Sequence, residues 1–260
     1  MTHQELLTKV QWKDLKTLNN KEMLIENNLT IPWLLLSLGL AYSGYYILAL
    51  PFSAFFFLTG LRQVHNGFHN SLGTNKFLTW LSLYLNSILM MVSIHAVKFN
   101  HIRHHKYCLA EEDYEGKSAG MSWYGAILYG PIHVFLIHKV TLQLGNSTYK
   151  RNTILELLSI ALFAATVFYF QINFLIYHVA VMILGEFLMA FFAVWTVHHG
   201  THESPEYART QRSGWKNKLT FSMFYHLEHH LFPAVPTIKL PELAKRIDEA
   251  LPELEKKQTF

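Results

Sequence analysis

Residues 51–69 read PFSAFFFLTGLRQVHNGFH. An apolar run of membrane-core composition passes, three residues after its arginine, into two histidines four positions apart. Helix positions i and i+4 share a face. His65 and His69 therefore project together from the end of a segment whose body belongs in lipid. An apolar helix delivering paired imidazoles at its tip sets the fold class and the chemistry to look for in the rest of the chain.

The surrounding composition agrees. The chain has 260 residues, 51% of them hydrophobic and only 15% charged. Soluble domains carry about 25% charged residues, so the balance predicts one integral-membrane, all-α domain. Besides 51–68, residues 31–50 (IPWLLLSLGLAYSGYYILAL), 153–172 and 174–197 are long and apolar enough to span. They read as two hairpins, turning near Pro51 and near Gln171 and Asn173. A fifth apolar stretch, 77–97, carries Ser82, Asn86, Ser87, Ser93 and His95. If it spanned, the histidines on either side of it would lie about 30 Å apart. It is expected instead to lie in the interface or to dip into the membrane. Residues 98–152 and 198–260 then form a helical cap on one side.

Charge gives that cap a side. The 22 Lys and Arg residues all fall in 1–28, 62–151 or 206–260, and none lies in the expected outer turns. The positive-inside rule places termini and cap in the cytoplasm. The opening MTHQELLTKVQWKDLK lacks the layout of a cleaved signal peptide. The single cysteine, Cys108, excludes an intrachain disulfide and an all-cysteine metal site. Scattered basic residues without interleaved aromatics give no nucleic-acid signature.

The histidines supply the chemistry. Of sixteen, eleven lie in four clusters: His65 and His69 in HNGFH; His101, His104 and His105 in HIRHH; His198, His199 and His202 in HHGTH; His226, His229 and His230 in HLEHH. HxxHH spacing places all three imidazoles of a cluster on one helical face. Eight such ligands in the HNGFH, HIRHH and HLEHH clusters exceed the needs of one ion and fit two, each with open positions. Imidazole suits zinc, copper, iron and nickel. In HHGTH, His198 and His202 lie one turn apart, and His199 points about 100° away if the helix continues. Ligating imidazoles hand their second N–H to carboxylates, carbonyls or water. Glu111, Glu112, Asp113, Glu115, Glu203 and Glu228 are in sequence reach, with Asp113 preferred and Glu228 also considered. His3, His95, His133, His138 and His178 read as structural. His178 is intramembrane, but Glu186 lies two turns away, too far for direct contact within one helix.

At HNGFH, HIRHH and HLEHH, separated by paired spans, the sequence resembles the membrane fatty acid desaturase and hydroxylase superfamily, from about Pro32 to Pro241. FYHLEHHLFPAVP is similar to the final histidine box of its bacterial members. The resemblance implies a non-haem di-iron site, with zinc able to replace iron on the same imidazoles in purified protein. It implies dioxygen as oxidant, a lipid or acyl substrate, and an external electron donor such as a ferredoxin and its reductase. It also implies a further histidine near the end of the last span, for which His199 is the expected residue and His198 and His202 the reserves. The chain is short for the family, with no stretch that reads as a fused cytochrome domain. Basic Arg209, Arg212, Lys216 and Lys218 are available to dock an acidic donor or anionic lipid. An apolar slot lined by residues such as Phe55, Phe56, Phe57, Phe187, Phe191, Phe192 and Trp195 would hold the substrate. Desaturation leads, with hydroxylation or ketolation of an acyl chain, alkane or carotenoid as the alternative. A transition-metal transporter would need ligands along a path across the bilayer, and a bis-histidine haem protein would need single histidines facing each other inside spans.

Overall fold

The computed structural model describes residues 8–202 and 208–259. Among these the regular secondary structure is helical, apart from one isolated bridge pairing Thr210 with Gln258. In chain order the helices are α1 (Asn20–Asn28), α2 (Ile31–Tyr42), α3 (Tyr46–Phe68), α4 (Lys76–Met90), α5 (Ile94–Tyr107), α6 (Trp123–Leu128), α7 (Gly130–Leu144), α8 (Ser147–Tyr169), α9 (Asn173–Phe187), α10 (Thr196–His198), α11 (Gly214–Leu219), α12 (His226–Leu231) and α13 (Leu240–Ala250). A π-helical segment, Ala190–Trp195, joins α9 to α10. Four stretches are long and apolar enough to cross a membrane: Asn20–Tyr42, Tyr46–Phe68, Ser147–Tyr169 and Asn173–His198. These four apolar helices mark the chain as a membrane protein.

The first hairpin turns earlier than the sequence reading placed it. Gly44 takes the left-handed conformation, φ 83°, and the turn occupies Ser43–Tyr45. Pro51 lies inside α3. It falls in the second turn, where it removes the ladder bond to the Ile47 carbonyl without ending the helix. The second hairpin turns at Gln171, φ 53°, as expected.

The fifth apolar stretch does not run straight. α4 ends at Met91 in the left-handed region, and α5 leaves at 110° to it. A buried carboxylate from the third span holds this bend. Glu156 accepts the Ser93 hydroxyl at 2.6 Å and the His95 amide at 3.0 Å, and it pairs with the His95 ring. Ser93 caps α5 through the Ala96 amide. The bend turns α5 back toward the end of α3, so HIRHH meets HNGFH.

The cap is clamped onto the same end. Glu26 of α1 takes Nε and Nη2 of Arg62 on α3, a paired geometry stronger than a single hydrogen bond. It also accepts from Asn66 and from the Ile238 amide. Asn66 in turn accepts from Thr237. α13 is amphipathic and buries Leu240, Leu243, Ala244 and Ile247 against Phe232, Leu231 and Val10. α6 and α7 carry an apolar outward face, with Trp123, Tyr124, Leu128, Ile132 and Phe135 exposed. α7 lies so close to the last span that a Cβ on Gly130 would meet the Phe187 carbonyl oxygen at 1.6 Å.

Candidate metal centre

Four elements meet at one end of the bundle, each carrying histidines. α3 presents His65, with His69 at its C-cap. α5 presents His101, His104 and His105. The last span ends on His198. The six-residue α12 presents His226, His229 and His230, and is held in register by the Leu227 amide donating to the Arg209 carbonyl.

The rings sort into two groups of four: His104, His198, His226 and His230, and His65, His69, His101 and His229. In the first, the Nε2 atoms form a closed ring. His104 is 3.0 Å from His198 and 3.3 Å from His230, and His226 is 2.8 Å from His198 and 3.1 Å from His230. The centre of a four-cornered ring with such edges lies roughly 1.9 Å (puckered) to 2.2 Å (flat) from each corner, bracketing a metal–imidazole bond of about 2.0–2.1 Å. N–H···N bonds cannot satisfy such a ring fully, whereas a cation accepts all its lone pairs. In the second group, His69 and His101 approach to 3.1 Å. Both nitrogens of His65 are buried without a hydrogen-bond partner, although its ring lies 4.0 Å from that of His229. Leaving a buried imidazole unpaired costs about 1–3 kcal/mol, and a cation bound by the group would supply the partner. His105 lies between the groups, its Nε2 3.1 Å from His101 and 2.8 Å from His229, and its ring 4.6 Å from His230.

Carboxylates hold the rings from behind. His104 Nδ1 donates to Asp113 at 2.7 Å and His101 Nδ1 to Glu115 at 2.9 Å. Each bond leaves an Nε2 lone pair facing the centre. Burial alone would raise the Asp113 carboxyl, but the His104 ring and the Gly116 and Leu109 amides bring it down to about 2. Burial pushes Glu115 up to about 7. Burial, reinforced by neighbouring rings, holds His101, His105, His226, His229 and His230 well below the usual histidine range. They are therefore neutral near pH 7, the form that binds metal.

The structure brings together some of the expected residues and not others. His198, not His199, completes the first group. The helix stops at His198 because His199 turns to extended backbone and Gly200 takes φ 67°. The His199 carbonyl accepts from Arg209, and its ring stacks on Trp195 at 4.1 Å. The π segment also uses an extra residue in its turn, which changes the face that follows it. His202 is exposed. Glu228 does not support a histidine: it accepts from Thr210 and pairs with Arg212. Arg212 is also engaged by Asp248, and Arg209 by the His199 and Gln258 carbonyls, so both arginines serve the cap internally. Glu203 lies outside the described residues. Glu115 was in sequence reach but not preferred, since nothing in EEDYE separates it from its neighbours before the loop folds. His178 donates to the Leu89 carbonyl at 2.8 Å.

A cavity of about 780 Å³ leads to the centre between α3 and the last span. Leu50, Ala54, Phe57, Leu61 and Val64 line one side at helical spacing, and Met182, Gly185, Met189, Phe192 and Trp195 line the other. It reaches His65, His101 and His226. Of the aromatics expected at a slot, Phe57, Phe191, Phe192 and Trp195 line it, whereas Phe55, Phe56 and Phe187 do not. A Cβ on Gly185 would meet the Phe57 ring at 2.8 Å, so glycine there sets the width of the cavity.

Two four-histidine groups able to hold metal, carried by two spanning helices and by α5 and α12 at the end of an apolar cavity, define a membrane protein with a candidate metal centre. Residues 28–259 match the family described as fatty acid desaturase, and the chain belongs to that family. Comparison with curated proteins gave no match.

Proposed function

We propose that this protein is a membrane-bound di-iron oxidoreductase that uses dioxygen and electrons from a separate donor, such as a ferredoxin and its reductase, to desaturate an acyl chain. The observation that carries this reading is the meeting of two four-histidine groups with an apolar cavity of about 780 Å³. One iron would be held by His104, His198, His226 and His230, and the other by His65, His69, His101 and His229, with His105 between them. When bound, such a pair supplies dioxygen activation and the power to remove hydrogen from an unactivated C–H bond.

The chain's own residues do the rest. Asp113 and Glu115 fix the tautomer and orientation of His104 and His101. The cavity wall excludes water and holds an extended chain against the metal edge at His65, His101 and His226. Phe57, set by Gly185, limits the chain's girth. The lone Cys108 builds no iron–sulfur centre within the chain, which supports an external donor. The Lys and Arg distribution supports a cytoplasmic metal centre.

Expression in a host with a defined lipid profile tests the proposal. The wild type should give oxygen-dependent lipid species lighter by two hydrogens, with two irons per chain, and His104→Ala should give none. Products carrying an added oxygen atom would reassign the reaction to hydroxylation or ketolation. Equal products from wild type and His104→Ala would remove the metal-site assignment.

A further inference from the structure

Beside the large cavity lies a smaller chamber of about 30 Å³, bordered by Glu115, His133, Val134 and Glu186 among apolar side chains. Three polar side chains face it, and each keeps one buried atom without a hydrogen-bond partner: Glu115 Oε2, His133 Nδ1 and Glu186 Oε1. Glu186 is 4% exposed and His133 6%. An ionisable residue inside a span is costly and is retained for function as a rule. The close approach of α7 to the last span at Gly130 brings these residues to one place.

Three unpartnered polar atoms around a void of this size describe a water site. A buried water needs about 10–15 Å³ and two to four polar partners, so the chamber has room for about two. Apolar filling would leave three polar groups unpaired at about 1–3 kcal/mol each. The chamber shares Glu115 and Glu186 with the large cavity. Glu115 also accepts from His101 at the metal centre.

We propose that Glu186 and His133, with water held between them and Glu115, form the port through which protons reach the metal centre. This rests on the oxidative function proposed above. Desaturation converts a –CH2–CH2– unit, O2, two electrons and two protons into –CH=CH– and two waters. Hydroxylation converts C–H, O2, two electrons and two protons into C–OH and one water. Both consume two protons per turnover, and Glu115 and Glu186 are the two carboxyl groups in the wall of the cavity that leads to the centre. Glu186 is the carboxylic acid that hands a proton to the chamber water and recovers it through His133. Glu115 anchors the water beside the centre.

Infrared spectra of the full-length, metal-free protein test the port without turnover. The wild type should show a protonated carboxyl component that shifts on transfer from H2O to D2O and is lost in Glu186→Gln, Glu115 accounting for any carboxyl signal that remains. A band that ignores D2O, or one unchanged in Glu186→Gln, overturns the proposal. Val134→Phe fills the chamber and leaves every acid in place. It should keep the Glu186 band and block its exchange, and continued exchange overturns the proposal even if Glu186→Gln fails to fold. In turnover, both variants should bind two irons and lose on the order of tenfold to hundredfold in rate. A rate within twofold of wild type overturns the port. A wild type that oxidises no lipid removes the proposed function instead, and the infrared result then decides whether the chamber is a hydrated acid site.

Discussion

The two histidine groups are built from the same residue type and fail differently without metal. The group at His104, His198, His226 and His230 is a closed ring of Nε2 atoms with Asp113 behind it. It is arranged by contacts among its own members and a deeply buried carboxylate. The group at His65, His69, His101 and His229 is more open. His65 has no hydrogen-bond partner at either nitrogen, and Glu115 reaches His101 from the rim of a cavity. One group is preorganised by the protein, and the other leaves a polar deficit for a ligand to fill. The open group is also the one that, with His226, borders the large cavity.

The largest expected effect is His104→Ala, which removes a corner of the closed ring. Metal content should fall to one ion per chain or fewer, and activity should fall at least on the order of a hundredfold. Metal analysis and lipid profiling check both. Asp113→Asn and Glu115→Gln come next. Loss of an outer carboxylate costs about 10–100-fold in metal affinity or activity. If the comparison holds, the larger loss belongs to Asp113→Asn, measured by chelator competition.

Acid should affect both groups. His101, His105, His226, His229 and His230 have folded pKa values depressed by burial. In the unfolded chain they titrate near about 6.5. Protons then bind the unfolded state first, so the stability these groups contribute is present above about pH 6.5 and is lost as pH falls below it. Each group contributes up to about 1.4 kcal/mol per pH unit. Melting of the metal-free protein in detergent at pH 7.5, 6.5 and 5.5 should show a steepening loss below 6.5, and bound metal should delay it. His65→Leu should stabilise the metal-free protein by about 1–3 kcal/mol, because it removes an unpaired buried ring. It should also lower metal content, and a metal-free protein that melts lower would contradict the reading of His65. The smallest effect belongs to His199→Ala, which should leave metal content within twofold of wild type, whereas His198→Ala should not.

Much of this was legible in the sequence for a physical reason. Apolar runs of spanning length and i, i+3, i+4 histidine spacings are local properties, so α3 with His65 and His69, and α5 with its three rings, could be placed from residues alone. Asp113 could be preferred but not separated from Glu115, because both lie in one short acidic loop. The first turn was misplaced because a proline reads as a break from sequence, while Gly44 supplies the left-handed residue that the turn uses. Glu228 lies inside a histidine box, yet it faces away from the rings toward Thr210 and Arg212.

The sequence by itself determined a helical membrane protein whose imidazoles gather at one end, because hydropathy and helical periodicity act within a few turns of chain. Tertiary structure decided which rings meet. The 110° bend pinned by Glu156, the π segment before His198, and the Glu26–Arg62 clamp that seats the cap bring together residues far apart in the chain. The choice of His198 over His199, and the pairing of Glu186 with His133 around one chamber, follow from those long-range contacts, which no local spacing encodes.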